Sequence, residues 1–269
     1  MTTASPDNRE PGITAVILVG PQNPENIGAA ARVSYNFGIK RLIIVSDLEF
    51  DQERMLKMAT HKAAHLIKGM EVYSTTREAV STLHFIVGTT ARQGRNRVVE
   101  QTPRAVMDEI APLAAGNNIG LMFGPENSGL TNEDLDLCQY TSTVPTADFS
   151  SLNLAQAVAI HCYELHMRLF YSPEPISSVK DDFPDSHEQE AMYDHIKEVL
   201  KKVTFLQESN QIPWMRNVRK LLQRIQLKKK EAKIIRGICR KLLWYEETKE
   251  TLINEPKKQE EENKVLNGR

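Results

Sequence analysis

Residues 13–19 read ITAVILV and are followed directly by Gly20-Pro21. A short apolar run that is rich in β-branched residues and stops at turn residues is typical of a buried strand. After a polar loop, residues 26–38 (NIGAAARVSYNFG) are rich in alanine and end at a glycine, as a helix does. The stretch therefore predicts a strand, a loop and a helix in succession.

Similar units follow along the next 130 residues. We predict further strands at residues 41–46, 83–88, 119–123 and 140–144, and further helices at 51–69, 103–114, 131–138 and 152–170. Strands that alternate with helices indicate an α/β fold with a mostly parallel, buried sheet. In such sheets the functional groups lie on loops beyond the carboxyl ends of the strands, so these loops are where a site is expected.

Charge is distributed unevenly along the chain. The 269 residues carry a net charge of −1, but residues 197–245 hold 14 basic and three acidic residues, a net charge of +11. The preceding segment is acidic and contains several Pro and Ser residues. We therefore predict an α/β domain over 1–171, an acidic linker over 172–196, a basic helical RNA-binding extension over 197–245 and a disordered tail over 246–269.

Several common classes of protein are disfavoured by the sequence. No apolar run is long enough for a transmembrane helix, and no secretory signal is visible at the N-terminus. The dinucleotide fingerprint and the P-loop are absent, and the HKAAH sequence at 61–65 lacks the glutamate of HExxH. The three cysteines, Cys138, Cys162 and Cys239, are widely spaced. We therefore expect a cytoplasmic protein without a membrane anchor, a disulfide framework or a bound metal.

Three loops carry unusual sequences. The first, GPQNPENIGAAAR at 20–32, lies between a strand and a helix, where backbone amides favour anions, and Arg32 is expected about one turn into that helix. A tight turn with a solvated arginine explains it equally well. The second, FGPENSGLTNEDL at 123–135, contains a predicted Thr131–Asp134 capping box, which leaves its many turn residues unexplained.

The third loop is VPTADFSSLNLAQAV at 144–158. Ser150 or Ser151 is expected to cap the following helix. Asn153 and Gln156 are less expected in the first turns of a packed helix.

In this order and at these strand ends, NPENIGAAAR (23–32), FGPENSGLTNEDL (123–135) and SSLNLAQAV (150–158) resemble signature motifs of the SPOUT superfamily of RNA 2′-O-methyltransferases. The resemblance is to its TrmJ-like branch, which modifies position 32 of the tRNA anticodon loop, and it covers about residues 12–170. It implies an α/β domain with a deep trefoil knot, a knot-formed pocket for S-adenosyl-L-methionine, and a homodimer with active sites at the subunit interface.

The resemblance also implies roles for individual residues. Arg32 matches the catalytic arginine that acts on the ribose hydroxyl, and the other matched catalytic positions are Asn26, Glu126, Ser151 and Asn153. The implied cofactor-binding residues are Thr89, Thr90, Ala91, Gly124, Val144, Ser150, Ser151 and Leu152. Because a guanidinium is a poor proton acceptor, Arg32 acts either as an unusual base or as a group that binds phosphate and stabilises the alkoxide. Pro125 and Asn127 stand where many close relatives carry arginine, a departure that concerns substrate choice rather than the chemistry.

Basic residues in two places are candidates for binding RNA phosphates. One group follows the strand at 83–88 and comprises Arg92, Arg95 and Arg97. The other lies in the helical pattern between Trp214 and Trp244 and comprises Arg216, Arg219, Lys220, Arg224, Lys228, Lys229 and Lys230. The alternative for both groups is a solvated surface. The apolar residues of the second segment form two stripes, Val218, Leu221, Leu222 and Ile225, then Ile234, Ile235, Ile238 and Leu242, which predict a helical hairpin packed on itself.

The sequence therefore favours an S-adenosylmethionine-dependent RNA ribose 2′-O-methyltransferase that acts on tRNA. An rRNA target and a non-catalytic RNA-binding protein that keeps the fold are the alternatives.

Overall fold

The computed structural model describes residues 14–90, 101–114, 116–148, 151–172 and 182–266, with side chains up to residue 249. The chain divides into two compact units between His187 and Glu188. The first unit contains six strands: β1 (Thr14–Val19), β2 (Arg41–Val45), β3 (Glu71–Tyr73), β4 (Phe85–Thr89), β5 (Ile119–Phe123) and β6 (Tyr140–Ser142). Its helices are α1 (Pro24–Asn36), α2 (Gln52–Lys68), α3 (Thr76–Ala79), α4 (Pro103–Ile110), α5 (Asn132–Asp136) and α6 (Leu154–Phe170).

The six strands form one parallel sheet in the order β3-β2-β1-β5-β4-β6. The α/β fold with a mostly parallel sheet is confirmed. Each strand and helix predicted in this unit is present with bounds shifted by a few residues. Strand β3 and helix α3 were not predicted, because three and four residues are too few to show a periodicity.

Both faces of the sheet are buried. In β1, Val16 and Leu18 point into one apolar cluster and Ala15 and Ile17 into the other, as alternation along a strand requires. Helices α1 and α2 pack closely, since a Cβ atom at Gly28 would lie 2.1 Å from the carbonyl oxygen of Met55. The sheet therefore holds its strand ends, and the loops that follow them, in fixed positions.

The second unit is helical. It is formed by α7 (Ser186–Lys202, which begins in the first unit), α8 (Gln211–Ile225) and α9 (Lys229–Leu266). Its apolar core contains Met192, Tyr193, Leu206, Met215 and Ala232. Only some residues of the two predicted apolar stripes are buried. Val218, Leu222 and Ile235 pack against this core. The exposed residues of the stripes are Leu221, Ile225, Ile234, Ile238 and Leu242.

Two predicted segments differ from the structure. Residues 186–196, predicted as part of a linker, form most of α7, because apolar residues at helical spacing, such as Met192 and Ile196, pack into the core despite the acidic composition. Residues 246–266, predicted as part of a disordered tail, continue helix α9. In the described part of the chain, no helix is long and apolar enough to span a membrane.

Candidate functional site

A cavity of about 260 Å³ lies at the carboxyl ends of β4, β5 and β6. Its walls are the end of β4, the loop after β5, the loop between β6 and α6, and the first turns of α6. The lining residues are Thr89, Thr90, Phe123, Gly124, Pro125, Glu126, Asn127, Ser128, Gly129, Leu130, Ser142, Val144, Ser151, Leu152, Leu154, Ala157 and His161. Two of the three unusual loops therefore contribute directly to one cavity.

Six of the residues that the resemblance assigns to the cofactor line this cavity: Thr89, Thr90, Gly124, Val144, Ser151 and Leu152. Ala91 and Ser150 lie outside the described residues. A Cβ atom at Gly124 would lie 2.2 Å from the amide nitrogen of Leu130, and the amide of Gly129 donates to the carbonyl of Pro125 at 2.8 Å. The loop after β5 therefore folds back on itself, which explains why it is so rich in turn residues.

The carboxylate of Glu126 joins this loop to the loop after β1. The side-chain Nδ2 of Asn26 donates to its Oε1 at 2.6 Å, and the amide of Gln22 donates to its Oε2 at 2.9 Å. The side chain of Asn23 makes a longer contact of 3.4 Å with Oε1. Residues about 100 positions apart in the sequence are thus held together by one charged acceptor.

The third loop joins the same network through Asn153. Its Nδ2 donates to Oδ1 of Asn26 at 3.0 Å, while its Oδ1 accepts from the amide of Ala155 at 2.9 Å. Asn153 is therefore the N-cap of α6, and Gln156 completes a capping box with it. The prediction that Ser151 caps this helix is wrong, because Asn153 occupies the cap position, and Ser150 lies outside the described residues.

These hydrogen bonds determine the charge of Glu126. Burial raises its pKa, but the hydrogen bonds from Asn26 and from the amides of Gln22, Glu126 and Asn23 outweigh burial and hold the pKa below its usual value. Glu126 is therefore ionised at neutral pH and acts as an acceptor that holds two loops together.

Arg32 lies further along α1 than expected. The helix begins at Pro24, so Arg32 is about two turns inside it, roughly 12 Å along the axis from Pro24. Its side chain is exposed and forms no hydrogen bond or ion pair with another residue in the described part of the chain. It is not among the described residues that line the cavity. Arg32 is thus an exposed cation outside the described wall of the cavity.

Several residues of the cavity wall were not predicted from the sequence, among them Phe123, Ser142 and His161. His161 is completely buried on α6, where its Nδ1 lies 2.8 Å from the carbonyl of Ala157 and its Nε2 lies 2.9 Å from Oγ of Ser142. A single histidine in an apolar helix gives no sequence signal that separates a core residue from a site residue.

The basic residues of the second unit are not equivalent. Arg219 forms a bidentate ion pair with buried Glu190 and lies 4.3 Å above the ring of Tyr193, and Lys229 pairs with Glu188 at 3.0 Å. Exposed basic side chains include Arg224, Lys228 and Lys230, while Arg216 and Lys220 are half-buried. Arg92, Arg95 and Arg97 lie outside the described residues.

Two further predictions concern local structure. Thr131 and Asp134 form the predicted capping box, which is confirmed. In the HKAAH sequence, both histidines are exposed on α2 and His65 packs edge-on against Tyr35. The described residues contain no group of three His, Cys, Asp or Glu side chains that could hold a metal.

Comparison with known proteins follows the division into two units. The SpoU rRNA Methylase family matches residues 14–163, and the C-terminal domain of the tRNA methyltransferase TrmJ matches residues 187–253. The chain is 32% identical over 204 residues to a tRNA (cytidine-2′-O-)-methyltransferase TrmJ from Methanocaldococcus jannaschii, which covers 74% of this chain and 84% of that protein.

Two more relatives each cover more than four fifths of this chain. A tRNA (cytidine/uridine/adenosine-2′-O-)-methyltransferase TrmJ from Pseudomonas aeruginosa is 32% identical over 234 residues, 83% of this chain and 91% of that protein. The crystal structure of TrmJ from Z. mobilis ZM4 superposes with a TM-score of 0.72 at 31% identity, covering 86% of this chain and 99% of that one. The chain therefore belongs to the SpoU methylase family of SPOUT proteins and, with its matching C-terminal domain, to the TrmJ-like branch.

Proposed function

We propose that this protein transfers a methyl group from S-adenosyl-L-methionine to a ribose 2′-hydroxyl of tRNA, at position 32 of the anticodon loop. The observation that carries the proposal is the cavity at the carboxyl ends of β4, β5 and β6, whose loops are tied together through Glu126, Asn26 and Asn153. The methyl acceptor follows from the relatives, which are tRNA 2′-O-methyltransferases by name. The match to the TrmJ C-terminal domain favours tRNA over rRNA.

The residues of the cavity fit the proposed methyl donor. Phe123, Leu130 and Leu154 provide apolar surface suited to an adenine ring, and the hydroxyls of Thr89 and Ser151 provide polar surface. The ionised carboxylate of Glu126 lies on the same wall and complements a positively charged sulfonium. When bound, S-adenosyl-L-methionine supplies an activated methyl group and a neutral leaving group.

The protein must assist a ribose hydroxyl, which is a poor nucleophile at neutral pH. Glu126 is a weak base because its pKa is lowered, and it already accepts from Asn26 and Gln22. Arg32 cannot accept a proton, since its guanidinium has only donors. We therefore assign Glu126 to the arrangement of the loops and Arg32 to binding phosphate and stabilising the developing alkoxide.

A second copy of the chain is the proposed partner in the active enzyme. Arg32 lies outside the described wall of its own cavity, and exposed aromatic side chains on α1 and α6, Tyr35, Tyr163 and Phe170, offer a surface for association. Sedimentation equilibrium is expected to give the mass of a dimer. A monomer that methylates tRNA at full rate would contradict this part of the proposal.

The chain path supports the proposed trefoil knot. Strand β6 lies at the edge of the sheet, yet α6, which follows it, packs against α1 and the central strand β5. The chain thus returns from the edge to the middle of the sheet.

The free, buried thiols of Cys138, Cys162 and Cys239 support a reducing compartment, and we propose the cytoplasm.

Arg32→Ala tests the assignment. We expect methyl transfer to tRNA to be abolished while calorimetry shows nearly unchanged binding of S-adenosyl-L-methionine, since Arg32 does not line the cavity. Lys40→Ala, an exposed cation just beyond α1, is the matched control and is expected to retain activity. Turnover in Arg32→Ala would contradict the role of Arg32, and a wild-type protein that binds RNA but gives no heat with S-adenosyl-L-methionine would be a non-catalytic RNA binder.

A further inference from the structure

His161 is buried and yet forms part of the cavity wall. Its relative exposure is 0%, and the edge of its ring packs against Phe123, another wall residue, with the ring centroids 5.4 Å apart. Burial lowers its pKa more than the carbonyl of Ala157 and the charge of Glu164 raise it, so the imidazole is neutral at pH 7. None of the roles assigned so far uses this residue.

The hydrogen bonds of His161 fix its tautomer. Nδ1 faces the carbonyl oxygen of Ala157, which can only accept, so Nδ1 carries the proton. Nε2 of the neutral ring is then an acceptor, and the hydroxyl of Ser142 donates to it at 2.9 Å. Both ring nitrogens and the buried Ser142 hydroxyl are thereby satisfied.

The bond to Ser142 joins the two ends of a loop. Ser142 is the last residue of β6, and His161 lies two turns into α6, so the bond joins the two ends of the connection between β6 and α6, of which residues 143–148 and 151–153 are described. Val144, Ser151 and Leu152 from this connection line the cavity.

The same strand end also positions β4. The carbonyl of Ser142 accepts from the amide of Thr90 at 3.0 Å, and the hydroxyl of Thr143 donates to the carbonyl of Thr90 at 2.9 Å. The end of β4 and the loop after β6 are therefore fixed by one group of hydrogen bonds, and His161 connects that group to α6.

We propose that His161 is a positioning residue of the methyl-donor site, which holds Ser142 and thereby fixes the residues after β6 and before α6 that line the cavity, Val144, Ser151 and Leu152. The proposal rests on the proposed function, because it takes the cavity to be the site of S-adenosyl-L-methionine. His161 acts through Ser142 and the loop, since both of its ring nitrogens are already bonded within the protein.

The test is a double-mutant cycle with His161→Phe and Ser142→Ala in the full-length protein. Phenylalanine keeps a ring against Phe123 but removes both hydrogen bonds. Isothermal titration is expected to show that each single substitution lowers the affinity for S-adenosyl-L-methionine about tenfold. The affinity of the double variant is expected to equal that of the single variant with the lower affinity. In steady-state assays we expect a similar rise in KM for the methyl donor, with kcat at saturating donor within about twofold of wild type.

Cys162→Ala is the matched control, because Cys162 is the next residue of α6, equally buried, and is not part of the described cavity wall. It is expected to lower the melting temperature without changing the affinity for S-adenosyl-L-methionine. Unchanged affinity in His161→Phe, or additive losses in the double variant, would overturn the proposal. Failure of the wild-type protein to bind S-adenosyl-L-methionine would instead overturn the proposed function, and this inference with it.

Discussion

The two units of the chain use their polar side chains in different ways. In the first unit, Glu126 and Asn26 bind each other across 100 positions of sequence, and Asn153 joins them from a third loop. In the second unit, Arg219 and Lys229 pair with acidic residues of α7, while basic side chains such as Arg224 and Lys230 point into solvent.

The comparison shows that a motif and a charge count carry different information. Motif residues from distant parts of the first unit meet at one place: Glu126 lines the cavity, Asn26 binds Glu126, and Asn153 binds Asn26. Arg32 lies outside the described cavity wall. The +11 charge of residues 197–245 includes cations that hold the helices together. Of the seven residues in this segment that were predicted to bind RNA, at least two are engaged in this way. Residues that meet in the folded structure therefore support a functional site. A basic net charge supports RNA binding only after the cations that form ion pairs within the protein have been subtracted.

The largest effect on activity is expected when Glu126, the charged residue of the hydrogen-bond network with Asn26 and Asn153, is replaced. Glu126→Gln replaces the carboxylate that accepts from Asn26 and Gln22, and hydrogen bonds to a charged group are worth about 1.5–3 kcal/mol each. We expect kcat/KM for methyl transfer to fall by at least about 100-fold. Glu133→Gln, an exposed acid in the same stretch, is the control, and a Glu126 variant within threefold of wild type would contradict the role of the network.

Arg219→Ala should affect the second unit through stability. The substitution leaves the buried carboxylate of Glu190 without its bidentate partner, which costs about 3–5 kcal/mol. Both tryptophans of the chain, Trp214 and Trp244, lie in this unit, so urea unfolding followed by their fluorescence reports on it.

Arg224→Ala is the matched comparison, because Arg224 is exposed on the same helix. It is expected to change stability by less than about 0.5 kcal/mol and to weaken tRNA binding with a smaller salt dependence. Equal stability of the two variants would show that the Arg219–Glu190 pair does not hold the helices together.

Two substitutions of Asn153 distinguish its structural role as an N-cap from its role in the site. Asn153→Asp keeps an N-cap acceptor for the amide of Ala155 but loses the amide donor to Asn26, whereas Asn153→Ala loses both. We expect the alanine variant to be less stable by about 1 kcal/mol, the aspartate variant to be near wild type in stability, and both to lose activity. Full activity of Asn153→Asp would mean that the contact with Asn26 is dispensable.

The smallest effect is a pH dependence of stability at His161. Because burial lowers its pKa in the native state, the unfolded chain takes up a proton at a higher pH than the folded protein does. The stability from neutral His161 is therefore complete above about pH 6.5 and is lost as the pH falls, by at most about 1.4 kcal/mol per pH unit. Melting temperatures of His161→Phe should fall less steeply than wild type between pH 7 and pH 5, and parallel curves would contradict this.

Much of the first unit could be predicted from the sequence because its signals are local. The runs that became β1 and β5 and the Thr131–Asp134 capping box are visible within a few residues. The role of Asn153 was not predictable in the same way, since Ser150 and Ser151 are equally good caps and the choice depends on where α6 begins.

The remaining features depend on contacts between distant residues. His161 lies beside Ser142 only because α6 returns to the end of β6. Arg219 and Glu190, which are 29 positions apart in the sequence, pair only when helices α8 and α7 pack together. The acidic composition of residues 186–196 likewise led to the prediction of a linker, although Met192 and Tyr193 form an apolar face of α7 that packs into the core.

The cavity in the first unit is proposed to serve methyl transfer to a tRNA ribose. The most direct test is to incubate the full-length protein with unmodified tRNA transcript and S-adenosyl-L-methionine, and to map the product by nuclease digestion and mass spectrometry. We expect one 2′-O-methylated ribose, at position 32 of the anticodon loop. Methylation of a base, or no incorporation of methyl groups under conditions in which the protein binds the tRNA, would contradict it.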